Sequence, residues 1–153
     1  MKTAIFSGRF DPVNLGHVIT THRLLEVYDK VIVVILDYPE RTGCSAKDAY
    51  AMFHTVFGFG YIDSVIEFCI NATHFGKIRE FDLKRLLYYC KCDMDNTDYV
   101  GGNKEVNKHI ESLGVIPVQY IPRTPIYNST EIRKRIEDGE SLEEQYNIEI
   151  KKI

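Results

Sequence analysis

Apolar positions along the chain alternate between two patterns. Apolar runs of strand length at residues 2–7, 30–37, 62–68, 97–101 and 115–122 predict strands. The run KVIVVILD at residues 30–37 is almost wholly aliphatic, which suits a strand covered on both faces. Between these runs, residues 16–28, 46–57, 76–90 and 104–113 carry apolar side chains at helical spacing, with Gly114 placed to stop the last helix. Phe53, Phe57, Tyr88 and Tyr89 recur at core-like spacing and read as packing residues. A further helix start follows the fifth strand, near Asn128.

Strand and helix thus alternate to the end of the chain, which predicts an α/β fold with helices on both faces of a mainly parallel sheet. The expected form is a single doubly wound, Rossmann-like domain over residues 1–138, with five strands in the order 3-2-1-4-5. Residues 139–153 are expected to form a charged tail or a short docked helix. Ligands of such sheets bind beyond the carboxyl ends of the strands, near the switch point of the strand order.

Composition narrows the function. The chain has 153 residues, enough for one domain with a real core. Its net charge of -3 argues against a general nucleic-acid binder, yet leaves room for a local basic pocket. No apolar run reaches the roughly 18 residues of a membrane span, and no signal peptide is expected ahead of the first strand. A cytoplasmic protein with reduced Cys44, Cys69, Cys90 and Cys92 is expected. Cys90 and Cys92 lack a second pair at zinc spacing, and the acidic run Asp93, Asp95 and Asp98 lacks the turn glycine of a calcium loop. The segment reads as a solvated loop, with no metal site.

Two segments carry chemistry. In GRFDPVNLGH, residues 8–17, Gly8 lets backbone approach a ligand and Pro12 stiffens the turn before a helix beginning near Leu15. That helix's N-terminus is a natural phosphate seat. Asn14 and His17 share one face of its first turn, and both can donate to phosphate oxygens. Equally, Asn14 can be an N-cap and His17 a surface histidine. In the second segment, Asn128 and Glu131 resemble a capping box, Ser129 and Thr130 lie in the first helical turn, and Arg123 and Arg133 can bring positive charge. Here too a capped surface helix with a basic face remains open. His22, His54 and His109 read as structural or solvated.

GRFDPVNLGH resembles the G-x-F-D/x-P-x-H-x-G-H signature of the HxGH nucleotidyltransferase superfamily, and YNSTEIRKR resembles its second signature, I/Y-S-x-T-x-I-R. The two lie near opposite ends of the chain, as in that superfamily. Within it, the archaeal-type nicotinamide-nucleotide adenylyltransferases look closest. Residues 71–78 resemble their N-A-x-W-x-x-x-I segment, Gly102-Asn103 their S/T-G-N, and residues 127–135 with Gly139 their ending. Arg123-Thr124 and residues 61–66 resemble instead the glycerol-phosphate-type cytidylyltransferases.

The resemblance implies transfer of a nucleotidyl group from an NTP, accompanied by Mg²⁺, to a phosphorylated small molecule with release of pyrophosphate. Adenylyl transfer from ATP to nicotinamide mononucleotide is the first expectation. Formation of a CDP-polyol or CDP-sugar from CTP is the alternative, and a catalytically weakened nucleotide-binding regulatory module is the rival from another class. By resemblance, His17, Asn14 and Arg133 are the catalytic positions. Gly8, Phe10, Asp11, Gly16, Gly102, Asn103, Arg123, Ser129 and Thr130 are the nucleotide-binding positions, and Asn71 and His74 face the acceptor. Neither nucleic acid nor membrane is an expected partner, and a homo-oligomer is compatible with the family's habits. The chain departs from the pattern at Asn14 and Asn128, which stand for a histidine and a serine. It departs also at His74, which stands for a tryptophan, and at Ala49 or Met52, where an arginine is usual.

Overall fold

The computed structural model describes residues 2–37, 43–57, 65–71, 77–121 and 129–140, with backbone alone for residues 57, 65–71 and 129–132. Five parallel strands form one sheet in the order β3-β2-β1-β4-β5, as the alternation predicts. They are β1 (Thr3–Gly8), β2 (Lys30–Asp37), β3 (Val65–Asn71), β4 (Thr97–Gly101) and β5 (Val118–Tyr120). The helices are α1 (Leu15–Val27), α2 (Ala46–Phe57), α3 (Glu80–Tyr89), α4 (Lys104–Leu113) and α5 (Ser129–Glu137).

The aliphatic run in β2 is explained by burial on both faces. Val31, Val33 and Ile35 join Ala4, Phe6 and Val100 under Val18 and Leu24 of α1 and Ala49 and Phe53 of α2. Ile32, Val34 and Leu36 join Ile5 and Tyr99 under Leu83, Leu86 and Leu87 of α3 and Val106 and Ile110 of α4. Alternate residues of one strand therefore serve two cores, which is what makes the domain doubly wound.

Several boundaries differ from those expected. β3 runs from Val65 to Asn71 in register with β2, from Val31↔Val65 to Asp37↔Asn71, and residues 62–64 of the expected strand lie outside the described residues. β5 is confined to residues 118–120 because Pro117 has no N–H to give a ladder, although its carbonyl accepts from Tyr99 at 2.8 Å. α3 starts at Glu80, where the Arg79–Asp82 pair at 2.8 Å and the acidic first turn favour a helix N-terminus. Its buried seam is Leu83, Leu86 and Leu87, so Tyr88 and Tyr89 are not packing residues: they lie 84% and 68% exposed. Phe53 is fully buried, as its spacing predicts. Gly114 ends α4 in the left-handed region at φ 66°. Gly139 does the same for α5, where the Gly139 and Glu140 N–H groups donate to the Ile136 and Arg135 carbonyls.

The cysteine segment is less open than a solvated loop. Cys90 and Cys92 are half-buried against the second core, and burial pushes the Cys90 thiol up to about 11. Asp93 caps the short 3-10 turn at Met94–Asn96. Asp98 belongs to β4, where it is buried and accepts a 2.6 Å hydrogen bond from the Tyr28 hydroxyl. Burial and this carboxylate hold the Tyr28 phenol protonated well above its ordinary range. Tyr28→Phe would leave Asp98 buried with the Lys2 ammonium 3.9 Å away. It is expected to destabilise the domain by about 1.5–3 kcal/mol, read as a lower urea midpoint at unchanged slope.

Candidate functional site

β1 and β4 pair only from Thr3↔Thr97 to Phe6↔Val100. Beyond that, β1 stays with β2 as far as Gly8↔Ile35, and β4 stays with β5 as far as Gly101↔Tyr120. The sheet therefore splits at Ser7 and Gly101, and a crevice opens at the switch point of the strand order. The β1–α1 turn flanks it on one side and the Gly101–Gly102–Asn103 turn on the other.

Phe10 anchors the first turn. Its φ of 46° is unusual for a bulky side chain, and its 2%-exposed ring is held edge-on by Phe6, Phe53 and His17, with centroids 5.4, 4.9 and 4.6 Å away. A Cβ on Gly8 would stand 3.3 Å from this ring, so the glycine leaves it room. Asp11 is fully buried. Its Oδ1 accepts from the Gly43 and Cys44 N–H groups at 2.6 and 2.8 Å, tying the turn to the segment that enters α2. Sequence reasoning missed Gly43. A Cβ there would lie 2.7 Å from the Pro12 nitrogen, so the turn and this segment meet backbone to backbone.

Asn14 and His17 form a reciprocal capping box at the start of α1. Asn14 Oδ1 accepts from the His17 N–H at 3.3 Å, and the Asn14 N–H donates to His17 Nδ1 at 3.1 Å. Asn14 Nδ2 donates to the Pro12 carbonyl at 3.4 Å, and the side chain is fully buried. Asn14 thus serves the local backbone, the N-cap alternative left open by the sequence. For His17 the consequence is chemical. With Nδ1 acting as acceptor, a neutral imidazole carries its proton on Nε2, at the opposite edge of the ring. Gly16 lies buried in the same first turn.

The second segment reaches the first. Arg133 of α5 donates from Nη1 to the Asp11 carbonyl at 2.8 Å, across 122 residues of sequence. Ser129 and Thr130 open α5. Arg123, Asn128 and His74 lie outside the described residues. Asn71 ends β3 opposite Asp37. Gly102 and Asn103 are exposed at the crevice's far wall, where Asn103 Oδ1 caps α4 by accepting from Glu105 and Val106 at 3.0 and 3.2 Å. His109 Nε2 lies 2.6 Å from the Ile78 carbonyl, a structural bridge as expected. Where an arginine would be usual, Ala49 is fully buried and Met52 packs on the first core.

Among the described residues, no group of three or more His, Cys, Asp or Glu is placed to hold a metal ion. The one buried carboxylate in the turn, Asp11, is engaged by two backbone N–H groups. No described helix is long and apolar enough to cross a membrane.

A family model described as cytidylyltransferase-like matches residues 5–135. Phosphopantetheine adenylyltransferase from Clostridium botulinum is 44% identical over 48 residues, which are 31% of this chain and 29% of the enzyme. The match thus spans under a third of that relative's length. Among solved structures, a bifunctional NMN adenylyltransferase/ADP ribose pyrophosphatase from Francisella tularensis has a TM-score of 0.73 at 20% identity, covering 93% of this chain and 44% of that one. The same enzyme complexed with AMP and a manganese ion gives 0.70 at 21% identity, covering 93% and 43%. At such identities the likeness establishes the fold.

Proposed function

The chain belongs to the cytidylyltransferase-like family, and from that premise we propose that it is a nucleotidyltransferase, most specifically an adenylyltransferase using ATP–Mg²⁺ and nicotinamide mononucleotide. The observation that carries this reading is the 2.8 Å bond from Arg133 to the Asp11 carbonyl. It joins the two nucleotide-handling segments at the mouth of the split between β1 and β4. Two helix N-termini, those of α1 and α5, are then available to the phosphates of one nucleotide.

In the reaction, a phosphate oxygen of the acceptor attacks the α-phosphorus in line. The new P–O bond forms as the bond to the β-phosphate bridging oxygen breaks, and pyrophosphate leaves. The protein supplies position and charge. His17 donates from Nε2 to a phosphate oxygen that gains charge in the transition state. Arg133 swings from the Asp11 carbonyl to the leaving phosphates, with Ser129 and Thr130 at the α5 N-terminus. Gly102 and Asn103 line the ribose and base through their backbone, since the Asn103 side chain already caps α4. The ring of Phe10 holds the imidazole at its angle.

A second acceptor is favoured by one observation. The 44% identity over 48 residues is to an enzyme named for phosphopantetheine, so that phosphate ester competes with nicotinamide mononucleotide. The deciding assay is pyrophosphate release with ATP or CTP against nicotinamide mononucleotide, nicotinate mononucleotide, phosphopantetheine and glycerol phosphate. ATP with nicotinamide mononucleotide is the expected pair. Turnover with CTP alone overturns adenylyl transfer, and turnover with phosphopantetheine alone reassigns the acceptor. Nucleotide binding without release with any acceptor would mark a regulatory module.

A further inference from the structure

Asn107 interrupts the buried face of α4, which otherwise reads Val106 and Ile110. The residue is fully buried. Its Nδ2 donates to the Gly101 carbonyl at 2.7 Å, and the same carbonyl accepts from the Ile121 N–H at 3.1 Å. Its Oδ1 is a buried acceptor with no hydrogen-bond partner among the described residues. That oxygen sits 2.6 Å from where a Cβ of residue 101 would be, so the arrangement requires glycine there. The Tyr99 ring closes the same spot, with Cε1 3.1 Å from that position, and its hydroxyl lies 2.6 Å from Ser7 Oγ. Burial pushes the Tyr99 phenol up to about 12, so the hydroxyl stays protonated.

These four residues lie where β1 and β4 part. Ser7 and Tyr99 bridge the split, and Gly101 and Asn107 form the floor on the β4 side. A buried acceptor left unpaired is destabilising, and a leucine at position 107 would fill the same helix face without that defect. Stability alone therefore does not account for an asparagine here. We propose that Asn107 is a positioning residue: its amide clamps the Gly101 carbonyl and so fixes the Gly101–Gly102–Asn103 turn as the wall against which the nucleotide binds. That the turn binds nucleotide rests on the functional reading above; that Asn107 fixes it rests on geometry alone.

The test pairs Asn107→Leu, which removes both polar atoms, with Asn107→Asp, which keeps an acceptor and removes the donor. Hydrogen exchange is followed at the Glu105 and Val106 amides, which donate to Asn103 Oδ1. Both variants are expected to speed exchange there by about tenfold, with β1 and β2 amides unchanged. Asn107→Leu is expected to hold or raise the melting temperature. In titrations with ATP and CTP, Kd for the favoured nucleotide should rise about tenfold, and KM should rise far more than kcat falls. Unchanged exchange in both variants overturns the proposal, as does faster exchange spread evenly over the sheet. If the wild-type chain binds neither ATP nor CTP, the nucleotide reading falls, while the exchange result still decides the clamp.

Discussion

On the proposed reaction, His17→Ala is expected to lower pyrophosphate release by about 10²–10³-fold, the loss of about 2.7–4 kcal/mol that follows removal of one preorganised donor to developing charge. Asn14→Ala acts differently, although it occupies the position of a second family histidine. Its Oδ1 caps α1 and its side chain is fully buried, so the change first costs about 0.5–2 kcal/mol of stability. The rate falls only as far as His17 loses its orientation. Asn14→Ser keeps a capping oxygen and is expected to recover most of both losses. The imidazole keeps its own tether in any case, because Nδ1 accepts from the backbone of residue 14, which no side-chain change removes. Urea melts beside single-turnover pyrophosphate release separate the two effects. If Asn14→Ser falls as far as His17→Ala, the amide of Asn14 touches the reacting phosphates and is more than a cap.

The sheet was legible because its signal is redundant. Two cores draw on alternate residues of β2, so its eight residues had to be apolar almost throughout. Weaker elements were set by partners distant in sequence: β3 by its register on β2, and β5 by a proline whose only ladder contribution is a carbonyl. α3 misled because Tyr88 and Tyr89 follow the leucine seam directly, and spacing alone does not say which side of Leu87 faces the sheet. Motif spacing located the β1–α1 turn, the α1 and α5 starts and the β4–α4 turn as elements of the fold. It left open whether Asn14 caps or donates outward, since both uses need the same residue at the same place. Gly43 and Asn107 were missed for a common reason: each matters through neighbours, Asp11 and Pro12 for the one and Gly101 for the other, that tertiary structure alone brings near. A lone asparagine amid a buried helical stripe was the one faint signal for the second.

Asp11→Ala is expected to damage the turn as severely as His17→Ala damages the chemistry. The carboxylate accepts two short backbone bonds, at 2.6 and 2.8 Å, and alanine leaves the Gly43 and Cys44 N–H groups without that acceptor. Bonds to charged groups contribute about 1.5–3 kcal/mol each, and since one oxygen takes both, a total near 3 kcal/mol is expected. Asp11→Asn keeps an acceptor oxygen and should lose about half as much. Gly43→Ala attacks the same junction from the other side. Its methyl would sit 2.7 Å from Pro12 and 2.8 Å from the Asp11 carbonyl carbon, contacts that only a backbone shift relieves. A further loss of about 1–3 kcal/mol follows from such overpacking. Because both changes break one contact, the double variant should lose less than the sum, a coupling of at least about 0.5 kcal/mol in a double-mutant cycle. The Asp11 carbonyl also receives Arg133, so each single variant should weaken nucleotide binding as well as stability. Strict additivity, or an Asp11→Ala urea midpoint equal to the wild type's, would show that the two segments do not hold one another in place.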